Sequence, residues 1–323
     1  MTAEPPGPDT SSRPVIGIVS PGAMGSALGQ AWAAGGAGLD EGVARDRVGP
    51  GDDVAPGDGA RVVTTVAGRS ARTVALANGL ELLPDLAAVV AASDVVVSIC
   101  PPAAADEVLD AILATAVATS SHPLLLEANA VAPGQVRAMA QRAAYLGLDL
   151  VDGSVSGGPP TPDGDTMLYL SGARAEDVAR LGARGLRRRV VGDEPGQASG
   201  VKMCTASIYK GSTALWAQAL QTADALGVLG PVLDDLEEEF PAQVASAGRR
   251  IAVATAKSAR FVAEMDNIAQ TQGEAGASAE LFEGMAAVYR RLSATPLAAV
   301  TPEEAAALTD LRDVLTRLRA AGP

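Results

Sequence analysis

The chain has 323 residues, 48% of them apolar, which is enough for two domains with full cores and excludes a disordered or fibrous protein. Its formal net charge of −13 would repel nucleic acid and anionic membranes, and 3% aromatic residues leave few platforms for stacking bases. Two cysteines, one histidine and no long apolar span exclude a disulfide framework, a metal site, a Ser-His-Asp triad and a membrane anchor, and they favour a soluble cytoplasmic protein.

The first part of the chain combines one strand, one helix and two polar segments. Residues 1–13 are polar and rich in Pro and Ser, and we expect them to be a disordered lead-in. PVIGIVS (14–20) is an apolar, β-branched strand, and AMGSALGQAWAA (23–34) has helical spacing. Residues 35–60 are dense in Gly and Asp without periodicity, which predicts a surface insertion.

From Arg61 onward the alternation of strand and helix continues. The predicted strands are RVVTTVAG, DVVVSIC, PLLLEAN and LDLVDGSVSG, with helices near 70–78, 103–118 and 133–146 between them. DTMLYLSG and RRRVVGD then bracket a short helix and extend the sheet. This order predicts a doubly wound α/β domain over 14–193, with a parallel sheet and ligand sites at the carboxyl ends of its strands. After Pro195, Ala, Leu, Met and Glu dominate, so 194–323 is predicted to be an all-helical domain.

The first strand-to-helix turn, Ser20 to Gly25, stands where a dinucleotide-binding fold places its pyrophosphate loop. Gly22 would let the backbone approach a phosphate, Gly25 would let the helix pack on the strand, and free N–H groups at the helix start would hold the anion. Ser20 occupies the position of the first glycine in the G-x-G-x-x-G fingerprint. On this motif alone, a tight turn without a ligand remains the alternative.

The residues after the second strand indicate which nicotinamide cofactor would bind. Where an NAD enzyme places an acid for the ribose hydroxyls, this chain has Arg69 and Ser70, followed by Arg72. A guanidinium fork and a hydroxyl suit a 2′-phosphate, which favours NADP. The alternative is that the two arginines only solubilise a helix start, although cations there oppose the helix dipole.

Two later segments are candidates for substrate chemistry. Residues 152–160 follow a buried strand and form an open loop of backbone donors suited to a carboxylate or polar head, with a plain turn as the alternative. Lys202 lies among small and apolar residues, an environment that favours a lowered pKa and proton transfer. The alternative is a solvated helix-face lysine, and Lys210, two turns later on the same face, is a competing candidate.

These four segments, in this order, resemble the β-hydroxyacid dehydrogenase superfamily, which includes 3-hydroxyisobutyrate and 6-phosphogluconate dehydrogenases and, further out, imine reductases. The resemblance covers 14–295 and is closest to a phosphogluconate-dehydrogenase-like branch of mostly uncharacterised members. That branch shares an S-P-G-x-M-G turn, here Ser20 to Gly25, and an R-x-V-x-E-M-type segment, here Arg260 to Met265. The resemblance implies a homodimer formed largely through the helical domain and an active site in the cleft between the two domains.

The resemblance also implies roles for individual residues. Lys202 matches the catalytic lysine that exchanges a proton with the reacting oxygen, with Ser156 and Asn129 completing the catalytic set. Together with the turns described above, the predicted cofactor-binding residues are Ser20, Pro21, Gly22, Ala23, Met24, Arg69, Ser70, Arg72, Cys100, Pro101, Pro102 and Asn129. The predicted substrate-binding residues are Ser156, Gly157, Gly158, Thr205 and Met265.

Two departures from the family pattern bear on the substrate. Ala206 stands where the family has an asparagine, and Glu264 with Met265 stands where many members have a lysine for the substrate carboxylate. We therefore predict an NADPH-dependent oxidoreductase that transfers a hydride to or from a carbonyl/alcohol carbon of a small polar substrate less anionic than an ordinary 3-hydroxy acid, with Lys202 as general acid/base. The alternatives are an imine reductase, which usually lacks this lysine, and a non-catalytic NADP-responsive regulatory protein.

Overall fold

The computed structural model describes residues 13–36 and 59–319. The chain divides into two compact units, Met1–Lys202 and Met203–Pro323, and the predicted boundary at 194 lies eight residues before this division. The predicted lead-in and the predicted insertion at 35–60 lie almost entirely outside the described residues.

The first unit is an α/β structure built on an eight-stranded sheet. Its strands are β1 (Val15–Val19), β2 (Arg61–Thr64), β3 (Glu81–Leu82), β4 (Val95–Ser98), β5 (Leu124–Glu127), β6 (Leu150–Ser156), β7 (Thr166–Ser171) and β8 (Leu186–Gly192). Its helices are α1 (Ala23–Ala34), α2 (Ala71–Leu76), α3 (Leu86–Ala92), α4 (Ala105–Thr119), α5 (Pro133–Tyr145) and α6 (Ala175–Ala179). The predicted α/β class is confirmed, and the prediction omitted only β3 and α3 among these elements.

The strands are ordered β3-β2-β1-β4-β5-β6-β7-β8. All neighbours are parallel except β6 and β7, which are antiparallel. Val95 and Val97 of β4 pack into one apolar core with α1 and α6, whereas Val96 packs into a second core with α4 and α5. A strand covered on both faces must be apolar throughout, which explains the continuous valine run. The carboxyl ends of β1, β2, β4, β5 and β6 consequently meet along one edge of the sheet.

The second unit is helical, as predicted, and its described residues contain no strand. Helix α7 (Gln197–Ala225) begins in the first unit and continues into the second. The remaining helices are α8 (Leu229–Glu239), α9 (Pro241–Ala256), α10 (Ser258–Glu274), α11 (Glu280–Ser293), α12 (Pro302–Ala306) and α13 (Leu311–Arg319). Within the part of the chain that the structure describes, no helix has the length and apolar character needed to cross a membrane.

Candidate functional site

The turn between β1 and α1 has the backbone of a dinucleotide-binding loop although its first glycine is a serine. Ser20 adopts a φ of +69°, in the left-handed region that normally favours glycine. The Gly22 N–H donates to the Ser20 carbonyl at 2.8 Å, which closes the turn. A Cβ at Gly25 would lie 2.7 Å from that same carbonyl oxygen, so the close approach of helix to strand requires glycine there.

The start of α1 faces open space. Gly22 caps this helix without any side-chain hydrogen bond, and a Cβ built there would meet no atom within 4 Å. First-turn N–H groups of a helix lack intrahelical acceptors and carry the positive end of its dipole. Beside them lies a cavity of about 370 Å³. These properties fit the pyrophosphate of a dinucleotide.

Seven of the twelve predicted cofactor-binding residues line this cavity, and five do not. The seven are Ser20, Gly22, Ala23, Met24, Arg69, Cys100 and Pro101. Arg69 reaches across from the loop after β2, where its Nη2 donates to Ser20 Oγ at 3.2 Å. Ser70 instead caps α2 by accepting the Thr73 N–H at 3.3 Å, and Arg72 is exposed on that helix. Pro21 and Pro102 lie next to lining residues in the chain.

Asn129, the fifth of these, is buried behind the cavity wall. Its Oδ1 accepts the backbone N–H of Cys100 at 2.5 Å, and its Nδ2 donates to Ser98 Oγ at 3.0 Å. Asn129 thus joins the loop after β5 to the loop after β4. Burial, with the nearby charge of Glu127, raises the pKa of the half-buried Cys100 thiol to about 11, so this thiol is neutral at physiological pH.

Glu127 was missed by the sequence analysis. It ends β5 with only 1% of its surface exposed, and its Oε1 accepts the Asn129 backbone N–H at 3.1 Å. Its Oε2 has no hydrogen-bond partner among the described residues. Burial raises the pKa of this carboxyl to about 7, against the opposing hydrogen bonds from Ser98 and Asn129. The only signal in the sequence is an acidic residue closing the otherwise apolar strand LLLE.

The end of β6 brings Lys202 to the predicted substrate loop. The half-buried Lys202 donates from Nζ to the Val155 carbonyl at 3.0 Å. Ser156, Gly157 and Gly158, which follow directly, are exposed. Gly157 has a φ of +109°, a conformation that requires glycine, and the Gly158 carbonyl accepts the Thr166 hydroxyl at 3.0 Å. A lysine ammonium and an open loop of backbone donors therefore lie side by side.

Asp152, at the other end of this stretch of β6, anchors the start of α7. Its carboxylate accepts the backbone N–H groups of Gly196 and Ser199, both at 2.9 Å, and the Ser199 hydroxyl at 2.7 Å. The Ser171 hydroxyl, 3.2 Å away, completes the set and itself accepts the Ala198 N–H. Burial raises the pKa of Asp152 against these donors. Asp152 thus fixes the first turn of the helix that carries Lys202.

The remaining candidates lie in the second unit. Thr205 is exposed on α7, whereas Met265 is fully buried in the helical core, a position that gives it a packing role. Lys210 forms an ion pair with Glu264, and Arg260 contacts the same carboxylate at 3.1 Å. The charge of Glu264 is therefore neutralised within this unit by Lys210 and Arg260.

Comparison with known protein families agrees with this fold. Residues 57–183 match the family model of the NAD binding domain of 6-phosphogluconate dehydrogenase, and residues 223–292 match a domain of unknown function (DUF1932). Together these matches support a place in the β-hydroxyacid dehydrogenase-like superfamily. The family and the fold indicate an NAD(P)-dependent dehydrogenase or reductase.

Several solved structures share the fold. A conserved hypothetical protein from Sinorhizobium meliloti is 24% identical, with 97% of this chain and 98% of that chain covered and a TM-score of 0.69. Mycobacterium tuberculosis 3-hydroxyisobutyrate dehydrogenase, solved with L-serine, is 17% identical over 95% and 100% of the two chains, with a TM-score of 0.62. An imine reductase variant from Myxococcus stipitatus is 18% identical over 95% and 99%, with a TM-score of 0.50. No curated protein matches the sequence.

Proposed function

We propose that this superfamily member is an NADPH-dependent oxidoreductase acting on a carbonyl/alcohol carbon of a small polar substrate. The observation that carries the proposal is the cavity at the carboxyl edge of the sheet, where the Ser20 turn, Arg69 and Cys100 converge. When bound, the nicotinamide supplies or accepts the hydride. The residues of this chain bind the cofactor, orient the substrate and exchange the proton.

The cavity supports a phosphorylated dinucleotide. The uncapped N–H groups of α1 would hold the pyrophosphate, and the open face of Gly22 leaves room for it. Arg69 would pair with a 2′-phosphate through charge-assisted hydrogen bonds. β2 is followed by Thr65, Val66 and Ala67, so this position offers no carboxylate for the ribose hydroxyls of NAD.

Lys202 supports proton transfer beside the loop of residues 156–158. The contact with the Val155 carbonyl directs its ammonium to the end of β6, and the Asp152 anchor fixes the helix turn from which it projects. We propose that Lys202 holds the proton that the reacting oxygen gains or loses, while the N–H groups of the loop orient the substrate. The exchanged proton then stays on Nζ until solvent removes or restores it.

Titration with NADPH and with NADH, followed by nucleotide fluorescence, tests the cofactor. We expect NADPH to bind more tightly, and Arg69→Ala to remove about 1.5–3 kcal/mol of that preference, the usual worth of a charged hydrogen bond. Arg72→Ala is the matched control, because it removes an arginine outside the cavity from the same segment. Equal dissociation constants for the two nucleotides would contradict the proposal.

The catalytic part is tested by screening NADPH consumption against carbonyl compounds and cyclic imines. On the substrate so found, Lys202→Met should lower kcat by roughly 10²–10⁴, the usual contribution of a positioned acid/base, with NADPH affinity retained. Lys257→Met is the matched control, since it makes the same change at a lysine for which no role in the reaction is proposed. Near-normal turnover by Lys202→Met would assign the lysine a structural role, and turnover of imines alone would favour an imine reductase.

We also propose that the chain forms a homodimer through its helical unit. Ile208 and Leu215 lie two turns apart on α7 with 70% and 61% of their surfaces exposed, and Leu281 on α11 is 57% exposed. Large apolar side chains exposed in this way are typical of an interface. Sedimentation equilibrium should give twice the mass of the chain, and Leu215→Glu should shift the protein to monomer.

A further inference from the structure

Ser20 and Arg69 connect the segments that follow the first two strands of the sheet. β1 and β2 are parallel neighbours, with Ile18 opposite Thr64, so the segments after them lie side by side. Arg69 Nη2 donates to Ser20 Oγ at 3.2 Å, and both residues line the cavity. Within the described residues this is the only hydrogen bond of the Arg69 side chain, which forms no ion pair there. The direction of the guanidinium therefore depends on the Ser20 hydroxyl.

The backbone of Arg69 is fixed by its own loop, so only the side chain is left to be oriented. The Arg69 N–H donates to the Val66 carbonyl at 3.0 Å, which closes a turn in which Gly68 has a φ of +69°. Ser70, the next residue, caps α2 by accepting the Thr73 N–H. An exposed arginine side chain loses much conformational entropy when a ligand orders it. A hydrogen bond that already restricts the guanidinium lowers this cost of binding.

The backbone at Ser20 gives a reason to look for a role of its hydroxyl. Its left-handed φ is one that glycine adopts with less strain, and strained residues of this kind cluster at functional sites. Glycine would form the same turn, because the closing hydrogen bond joins the Ser20 carbonyl to the Gly22 N–H and uses no side chain. The turn alone therefore does not explain a serine, whereas the contact of its Oγ with Arg69 does.

A hydroxyl is the kind of partner that orients a guanidinium and leaves its charge available. The Ser20 oxygen accepts from one Nη of Arg69, and the other N–H donors of the fork stay free for an anion. A carboxylate at this place would orient the fork as well, but it would cancel the charge that an anionic ligand needs. A phosphomonoester matches the geometry of the fork, and the 2′-phosphate is the group by which NADPH differs from NADH.

We propose that Ser20 is a positioning residue, which holds the guanidinium of Arg69 at the cavity and thereby sets the preference for a nucleotide with a 2′-phosphate. The inference rests on the proposed function for the class of cofactor and adds the residue that tunes its selection. Ser20 acts through Arg69, so its hydroxyl should matter only while Arg69 is present.

Calorimetric titration with 2′,5′-ADP and with 5′-AMP isolates this effect, because the two probes differ only in the 2′-phosphate. The quantity compared is the ratio of their dissociation constants. The variants are Ser20→Ala, Ser20→Gly, Arg69→Ala and the double variant Ser20→Ala/Arg69→Ala. Ser26→Ala is the matched control, since the Ser26 hydroxyl donates to the Pro21 carbonyl of the same turn at 2.8 Å and does not line the cavity.

We expect Ser20→Ala and Ser20→Gly to reduce the preference for 2′,5′-ADP by roughly three- to tenfold, as for the loss of one hydrogen bond, with 5′-AMP binding little changed. Ser20→Gly also relieves the backbone strain, so its Tm should rise while its preference falls, which a purely structural serine would not produce. Arg69→Ala should reduce the preference at least as much, and adding Ser20→Ala to it should change nothing further. Ser26→Ala should keep the wild-type ratio.

Three results would overturn the inference and leave the proposed cofactor standing. The first is a wild-type ratio in Ser20→Ala and Ser20→Gly when Arg69→Ala abolishes the preference. The second is a further loss on adding Ser20→Ala to Arg69→Ala, which would mean that the hydroxyl does not act through the arginine. The third is an equal fall of the ratio in Ser26→Ala, which would assign the effect to the shape of the turn. Equal binding of the two probes by the wild-type protein would instead refute both the inference and the proposed preference for NADPH.

Discussion

Replacing Glu127 with glutamine should change how the stability of the first unit depends on pH. Burial raises the pKa of this carboxyl from its ordinary value of 4.5 to about 7. Between these values the folded chain holds a proton that the unfolded chain has released, so the stabilisation is complete below pH 4.5 and is lost as the pH rises through 7. At about 1.4 kcal/mol per pH unit, this window of about 2.5 units corresponds to about 3.5 kcal/mol. Glutamine does not titrate, so its contribution to the free energy of unfolding does not change with pH.

The two tryptophans allow the first unit to be followed separately. Trp32 is fully buried in the first unit and Trp216 lies in the second, so a Trp216→Phe background leaves fluorescence from Trp32 alone. The free energy of unfolding in urea is measured for Glu127→Gln and for its parent at pH 5, 6, 7 and 8. In the difference between the two proteins, the contributions of all other titrating groups cancel. The variant should gain about 2–3 kcal/mol relative to its parent across this range. A difference that stays constant with pH would refute the reasoning.

Three further predictions concern the turn, the helix anchor and the buried ion pair. Gly25→Ala should lower both Tm and NADPH affinity, because its Cβ would lie 2.7 Å from a backbone oxygen, whereas Gly22→Ala should lower affinity alone; equal Tm losses in thermal melts would contradict this. Asp152→Ala should reduce the free energy of unfolding by about 3–5 kcal/mol, since several buried donors lose their acceptor, and a loss below about 1 kcal/mol in urea titrations would dismiss the anchor. Lys210→Met should destabilise the second unit by about 1–3 kcal/mol by leaving the acid short of a partner, and adding Glu264→Gln should recover most of this; additive losses in the double-mutant cycle would disprove the pair.

Much of the fold could be predicted because buried parallel strands have a plain signature. Val95 to Val97 is an uninterrupted β-branched run, as expected of a strand covered on both faces. β3 has only two residues, Glu81 and Leu82, both exposed, so no periodicity marks it. The antiparallel direction of β7 was readable in principle, since the connection 157–165 is too short for a parallel crossover.

The candidate site was predictable where residues form a contiguous motif and not where burial decides their role. The Ser20 turn and Arg69 follow from local spacing. Ser70 was assigned to the cofactor although serine is a preferred N-cap, the role it has at α2. Glu127 and Asp152 look like ordinary acidic residues of strands in the sequence. The donors to Asp152 lie up to 47 residues away, and the burial of both acids depends on neighbouring strands, which local patterns do not encode.

The left-handed backbone at Ser20 has a consequence for how such sites are found. A residue with a Cβ in this left-handed conformation lowers the stability of the fold by about 1–2 kcal/mol relative to glycine. A screen for thermostability should therefore select Ser20→Gly, which removes the hydroxyl that Arg69 contacts. The shape of the turn resides in a dihedral angle, and the glycine pattern is only one way to obtain it. Genome searches that count glycines pass over turns of this kind, whereas a search of structures for a positive φ three residues before the first residue of an uncapped helix would recover them.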